Sequence, residues 1–175
     1  MGLSQAMDRE LESEVRRRIE TGLVEIFGAA DPGQSDQLTR LVVLLAQWAP
    51  RMNLTGHRDP LEMTDRLVLD AAALVECLPE LAQATRLADL GSGAGFPGLV
   101  LAILGAGEIH LVESDRRKGQ FLREVSRETG AAVTLHPERI EELSPLCADC
   151  VTARALAPLD RLLDYAARHL APGGS

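Results

Sequence analysis

The chain has 175 residues, of which 46% are hydrophobic and 25% charged, a composition that excludes a disordered protein. Aromatics make up 3%, so the core is aliphatic, and a stacking platform of the kind used by single-strand binders is excluded. The net charge of −8 excludes a grip on nucleic acid through bulk electrostatics, but not an enzyme that touches it at one small patch.

The first half reads as helices. Leu11, Val15, Ile19, Leu23 and Phe27 recur at helical spacing until Gly28 and the turn Asp31-Pro32-Gly33. Ser35 is a candidate cap for a second helix, with the stripe Leu38, Leu41, Val42, Leu45 and Trp48, ended by Pro50. After the polar stretch Arg51–Arg58, Asp59 caps a third helix with Pro60 at its first position; Leu61, Leu67, Val68, Ala71, Val75 and Leu78 carry it to Pro79.

From residue 86 the rhythm changes. Arg86–Leu90, Ile109–Val112, Ala132–Leu135 and Cys150–Ala153 read as strands, with helices at roughly 97–104, 117–129, 138–143 and 158–170 between and after them. This alternation implies right-handed crossovers and a parallel α/β sheet. Residues 1–80 therefore form a helical cap, and residues 81–175 an α/β core. Leu170–Gly174 reads as the turn before a fifth strand, so the sheet is expected to stop short and leave strand four as an apolar edge.

The sharpest chemical signal is Asp89-Leu90-Gly91-Ser92-Gly93-Ala94-Gly95-Phe96-Pro97-Gly98, which follows a strand and opens a helix. Glycines let a backbone lie close against a ligand. Glu113 ends the second strand, where an acid can take both hydroxyls of a ribose. Gly93-x-Gly95-x-x-Gly98 also matches a dinucleotide fingerprint, but Asp89 stands where an acid repels phosphates. A ribose ligand with a positive centre and no phosphate fits better, and S-adenosylmethionine has those properties.

These residues, with Leu111-Val112-Glu113-Ser114, Arg139-Ile140-Glu141-Glu142 and Ala153-Arg154-Ala155, resemble the GidB/RsmG family of bacterial methyltransferases. Trp48, Asn53-Leu54-Thr55 and Arg66-Leu67-Val68-Leu69-Asp70 resemble the family's N-terminal signature, so that the likeness covers about residues 35 to 174. It implies a Rossmann-like class I methyltransferase sheet, S-adenosyl-L-methionine as cofactor, and transfer to guanine N7 of 16S ribosomal RNA in the 30S subunit. Cofactor contacts carried over by position fall on Gly91, Phe96, Ile140, Glu141 and Arg154, beside Asp89, Gly93, Gly95 and Glu113 from the loop reading. Arg139 and Arg154 are expected to position reactants; N7 attacks with its own lone pair, so no general base is required. Leu67, Ala71 and Ala49 stand where the family carries His, Ser and Asn, departures that concern the target side more than the cofactor side. Two other readings are a paralogue with a different small-molecule or RNA acceptor, and a non-catalytic fragment that binds cofactor.

Lesser signals read structurally. Cys77, Cys147 and Cys150 are too few for a disulfide framework, and Cys147-x-x-Cys150 reads as two buried small residues. Arg16-Arg17-Arg18 is expected to pair with neighbouring acids along its helix, and Arg116-Arg117-Lys118 to be a solvated face or a phosphate contact. His57, His110, His136 and His169 stand singly in sequence, and no metal site is expected. With no apolar run in residues 1–20 and none elsewhere near membrane-span length, a soluble cytoplasmic protein is expected.

Overall fold

Helix α1 (Gly2–Phe27) turns its Val15, Ile19 and Leu23 inward. Leu11 and Phe27, from the same expected stripe, are each 38% exposed. In this computed structural model the described residues are 2–78, 85–154 and 156–175, with side chains from residue 9 onward. The expected helix end at Pro79, the cap–core boundary at residue 80, and Ala155 lie outside them.

Helix α2 (Pro32–Trp48) is capped by Asp31, whose side chain accepts from the Gln34 amide at 2.9 Å, rather than by Ser35. Pro32 has its φ pre-set for the first helical position, so the cap falls one residue before it. Ser35 is buried inside the helix and donates to the Asp31 carbonyl. Trp48 packs into the core with its ring 5.7 Å from that of Phe121. Asp59 caps α3 (Pro60–Met63) as expected, accepting from the Leu61 amide. The third helix is not uniform, however. A π-helical turn, Thr64–Leu69, separates α3 from α4 (Asp70–Cys77).

Strands β1 (Arg86–Leu90), β2 (Glu108–Val112), β3 (Val133–His136) and β4 (Cys150–Ala153) form, among the described residues, one parallel sheet in the order β3-β2-β1-β4. Between them lie α5 (Gly98–Ile103) and α6 (Arg116–Thr129), and α7 (Leu159–His169) follows β4. The stretch expected as a helix over 138–143 is a single turn, closed by the Glu142 and Leu143 amides on the Arg139 carbonyl. So few residues do not repay the nucleation of a helix.

The two faces of the sheet are covered unequally. Leu87, Ile109 and Leu111 join Leu99, Phe121 and Val125 of α5 and α6 in one core that continues into Leu38, Leu41 and Leu45 of α2 and Ile19 of α1. On the other face Ala88, Leu90 and Val112 meet a smaller group made of Ile140, Leu143, Leu146 and Ala148. The expected turn after α7 leads back along the start of β4. The Ser175 amide donates to Asp149 O and the Val151 amide to Ser175 O, each at 2.9 Å. The first residues of strand four are thus paired, not bare.

Candidate functional site: a glycine-loop pocket between cap and sheet

All four strands are parallel, so their carboxyl ends open on one side, where an α/β sheet binds its ligands. A cavity of about 670 Å³ lies there, within the range of small-molecule sites. Of the expected residues, Gly91, Gly93, Phe96, Glu113, Arg139, Ile140, Glu141 and Arg154 line it. Asp89 and Gly95 stand behind its wall. Asp89 is 1% exposed; its Oδ2 accepts from the Gly98 amide at 3.1 Å and its Oδ1 from the Thr152 hydroxyl at 3.2 Å. Burial pushes its carboxyl up to about 6, against the opposing pull of those hydrogen bonds.

The loop between β1 and α5 turns on left-handed backbone at Gly91 (φ +70°), Gly93 (φ +57°) and Gly95 (φ +88°). A Cβ at Gly95 would sit 2.2 Å from Leu99 Cδ1, whereas at Gly93 the nearest atom is 3.8 Å away. Gly95 is therefore a packing glycine, and Gly93 a lining one.

Most of the loop amides are already engaged by the protein. Gly91 and Ser92 donate to Val112 O, Gly95 to Ser92 O, Gly93 to Glu113 Oε2 (2.9 Å), and Gly98 to Asp89. A pyrophosphate cradle needs free amides aimed at the ligand. Here backbone carbonyls take three of them and two carboxylates the other two, which removes the donors and repels the anion, so the dinucleotide reading does not fit. Glu113 Oε1 also accepts from the Asp115 amide at 2.8 Å. Each carboxylate oxygen keeps a lone pair for a ribose hydroxyl.

Sequence reasoning underestimated the contribution of the first half. Leu54, Thr55, Gly56 and His57 line the pocket, as does Leu67 of the π turn. His57 Nδ1 lies 2.9 Å from Glu62 Oε1, and its backbone amide donates to Thr55 Oγ1. Only the placing of Asn53-Leu54-Thr55 between two helices hinted at this wall. Arg161 and Tyr165 of α7 and Lys118 of α6 complete the lining on the other side.

Two other expectations need correction. His110 and His136 are not isolated: their rings stack, with Nδ1 and Nε2 2.8 Å apart, and His110 Nε2 meets Glu108. Pairing of β2 with β3 brings them together across 26 residues of sequence. Burial and the neighbouring His110 hold His136 below the usual imidazole range. Cys147, with φ +50°, is exposed before β4, while Cys150 is buried and its thiol is pushed up by burial. The described residues contain no cluster of three or more metal-ligating side chains, and none of their helices is long and apolar enough to cross a membrane.

Comparison with known proteins agrees with this fold. The Klebsiella pneumoniae structure provisionally described as an O-methyltransferase superposes with a TM-score of 0.57 at 22% identity, covering 88% of this chain and 67% of its own, and supports the fold. The ribosomal RNA small subunit methyltransferase G of Paramagnetospirillum magneticum is 56% identical over 131 residues, which is 75% of this chain and 63% of that protein. That of Rhodospirillum centenum is 53% identical over 140 residues, 79% of this chain and again 63% of the relative. The chain thus spans less than two thirds of the length of these curated relatives. The profile of GidB, rRNA small subunit methyltransferase G, matches residues 34–175, and with these identities it establishes that the chain belongs to that family.

Proposed function

We propose that this chain is an S-adenosylmethionine-dependent methyltransferase acting on guanine N7 of 16S ribosomal RNA, in the cytoplasm where the 30S subunit assembles. The observation that carries the cofactor is the pairing of an amide-occupied glycine loop with a carboxylate, Glu113, at the neighbouring strand end. That donor set suits a phosphate-free ribonucleoside. When bound, S-adenosylmethionine supplies an electrophilic methyl group on a sulfonium. Glu113 takes the ribose hydroxyls, Gly91, Gly93 and Phe96 form the floor, and Ile140-Glu141 flank the adenine. Asp89 and Gly95 act from behind, fixing the loop. The acceptor rests on family membership.

Guanine N7 carries its lone pair in the ring plane and needs no proton removed before attack. The work left to the protein is alignment, which contributes roughly 7–11 kcal/mol when reactants are well placed. We assign Arg139 and Arg154, both on the pocket wall, to positioning. An arginine beside the purine, which becomes cationic on methylation, helps only if it holds a phosphate or carboxylate. The helices of residues 1–80 serve as a cap whose 54–57 segment faces the acceptor.

Calorimetry with S-adenosylhomocysteine tests the pocket: saturable heat is expected, and none at millimolar ligand rejects every methyltransferase reading. Transfer of labelled methyl to 30S subunits lacking the modification tests the acceptor. Label on small molecules but not on 30S subunits would reject the ribosomal RNA reading alone.

A further inference from the structure

The arginines of this acidic chain are unevenly paired. Arg16, Arg17, Arg18, Arg40, Arg86 and Arg127 each lie within ion-pair distance of a carboxylate. The other arginines do not, among the described residues, although acids outnumber bases in the chain by 26 to 18, and Arg51, Arg66, Arg117 and Arg154 are four of them.

Twice, where the cap meets the sheet, the guanidinium of one of these four meets the backbone of another. Arg117 Nη2, at the start of α6, donates to the carbonyl of Arg51 at 3.0 Å. Arg154 Nη2, just past β4, makes a long 3.5 Å contact to the carbonyl of Arg66 in the π turn. All four side chains are exposed. Arg154 lines the pocket, and the other three each stand within three residues of a lining residue: Leu54, Leu67 and Lys118.

Of the carboxylates around them some are committed elsewhere, and the others, though near, form no ion pair with them. Asp65 pairs with Arg18, Glu62 with His57, and Asp115 caps α6 through the Arg117 and Lys118 amides. Asp70 shares a neighbouring depression with Arg154, and Glu138 and Glu141 line the pocket. Tying an arginine to the backbone of another arginine concentrates like charge that folding alone does not call for. A guanidinium has five N–H donors, and a single hydrogen bond to a carbonyl leaves the others free for bidentate contact with a phosphate.

We propose that Arg51 with Arg117, and Arg66 with Arg154, are two phosphate clamps that hold the backbone of an RNA acceptor beside the pocket. This rests on the reading of the acceptor as RNA. It reconciles an acidic protein with a polyanionic partner: the attraction is local, and the rest of the surface repels non-specific RNA.

The architecture supplies a clean test. Arg51 and Arg66 give their carbonyls to the cap–sheet contacts, so Arg51→Gln with Arg66→Gln removes two charges and leaves both contacts intact. Binding of unmodified 16S transcript is measured against salt, with S-adenosylhomocysteine calorimetry alongside. The double variant is expected to keep wild-type cofactor affinity and melting temperature. Its RNA Kd should rise about tenfold, and the slope of log K against log salt should fall by roughly 1.5. Arg51→Lys with Arg66→Lys should restore most of the slope. Arg9→Gln with Arg17→Gln, the same charge change on α1, should leave RNA binding unaltered. Unchanged RNA affinity and slope in the first double variant overturns the clamps while leaving the methyltransferase reading standing, and so does an equal loss in the α1 control. A wild-type chain that binds S-adenosylhomocysteine and anionic phosphatidylserine vesicles but not RNA overturns the clamps together with the RNA acceptor.

Discussion

The two faces of the sheet carry the same four strands but are built to different standards. One is backed by α5, α6 and the N-terminal helices, and most of the largest fully buried side chains lie there, Phe121, Ile19, Leu38 and Leu99 among them. The other meets a single turn and α7, whose Leu159 and Leu163 are 72% and 61% exposed. The ligand pocket straddles the two at the strand ends. Its glycine loop is anchored to the dense face, while Ile140, Arg139 and Arg161 come from the thin one. The lesson is a division of labour: a densely packed side holds the glycine loop in place, and a lightly packed side supplies the rest of the pocket wall.

The strongest way to break this comparison is at the centre of the dense face. Phe121→Ala is expected to cost roughly 3–5 kcal/mol in denaturant unfolding, and Leu143→Ala on the thin face clearly less; equal losses would erase the distinction. Gly95→Ala comes next. Its left-handed φ and the approach to Leu99 and Leu122 predict a loss of roughly 3 kcal/mol. Gly93→Ala, with open space before it, should cost about 1 kcal/mol, and any larger effect should fall on S-adenosylhomocysteine affinity.

Asp89 sharpens the comparison through pH. Its folded carboxyl titrates at about 6 against 3.8 for the free group. The unfolded chain therefore releases this proton first as pH rises. Stability from this group is full below about pH 4, is lost between there and about pH 6, and is level above. The cost reached is on the order of 3 kcal/mol. Asp89→Asn should lack this component, seen as a flatter pH profile of the unfolding midpoint from pH 4 to 7. Smallest of all, Leu163→Gln on the thin face should alter stability by no more than about 0.5 kcal/mol.

How much of this was legible in the sequence depended on how local its cause was. Strands Arg86–Leu90 and Cys150–Ala153 have the expected limits, because apolar runs bounded by turn residues need no partner to be recognised. The loop was legible because an acid, a glycine series and a second acid occur in fixed order within 25 residues. Residues 138–143 misled because Ile140 and Leu143 have helical spacing, while the segment is too short to hold a helix. The π turn left no trace in periodicity, which is blurred by one inserted residue. The His110–His136 stack and the two arginine pairs depend on strand register and on contacts across 26 to 88 residues, which no local pattern encodes.

The amides of the glycine loop have one more consequence. Because Val112, Glu113, Asp89 and Ser92 already satisfy them within the protein, the loop is preorganised, and the entropy of fixing it is lost during folding rather than at each encounter with a nucleoside. On the proposed function, successive turnovers would start from the same preformed floor. On that same function, differences in affinity between the methylated and demethylated cofactor then arise at the sulfur and the walls around it, not from rearrangement of the floor.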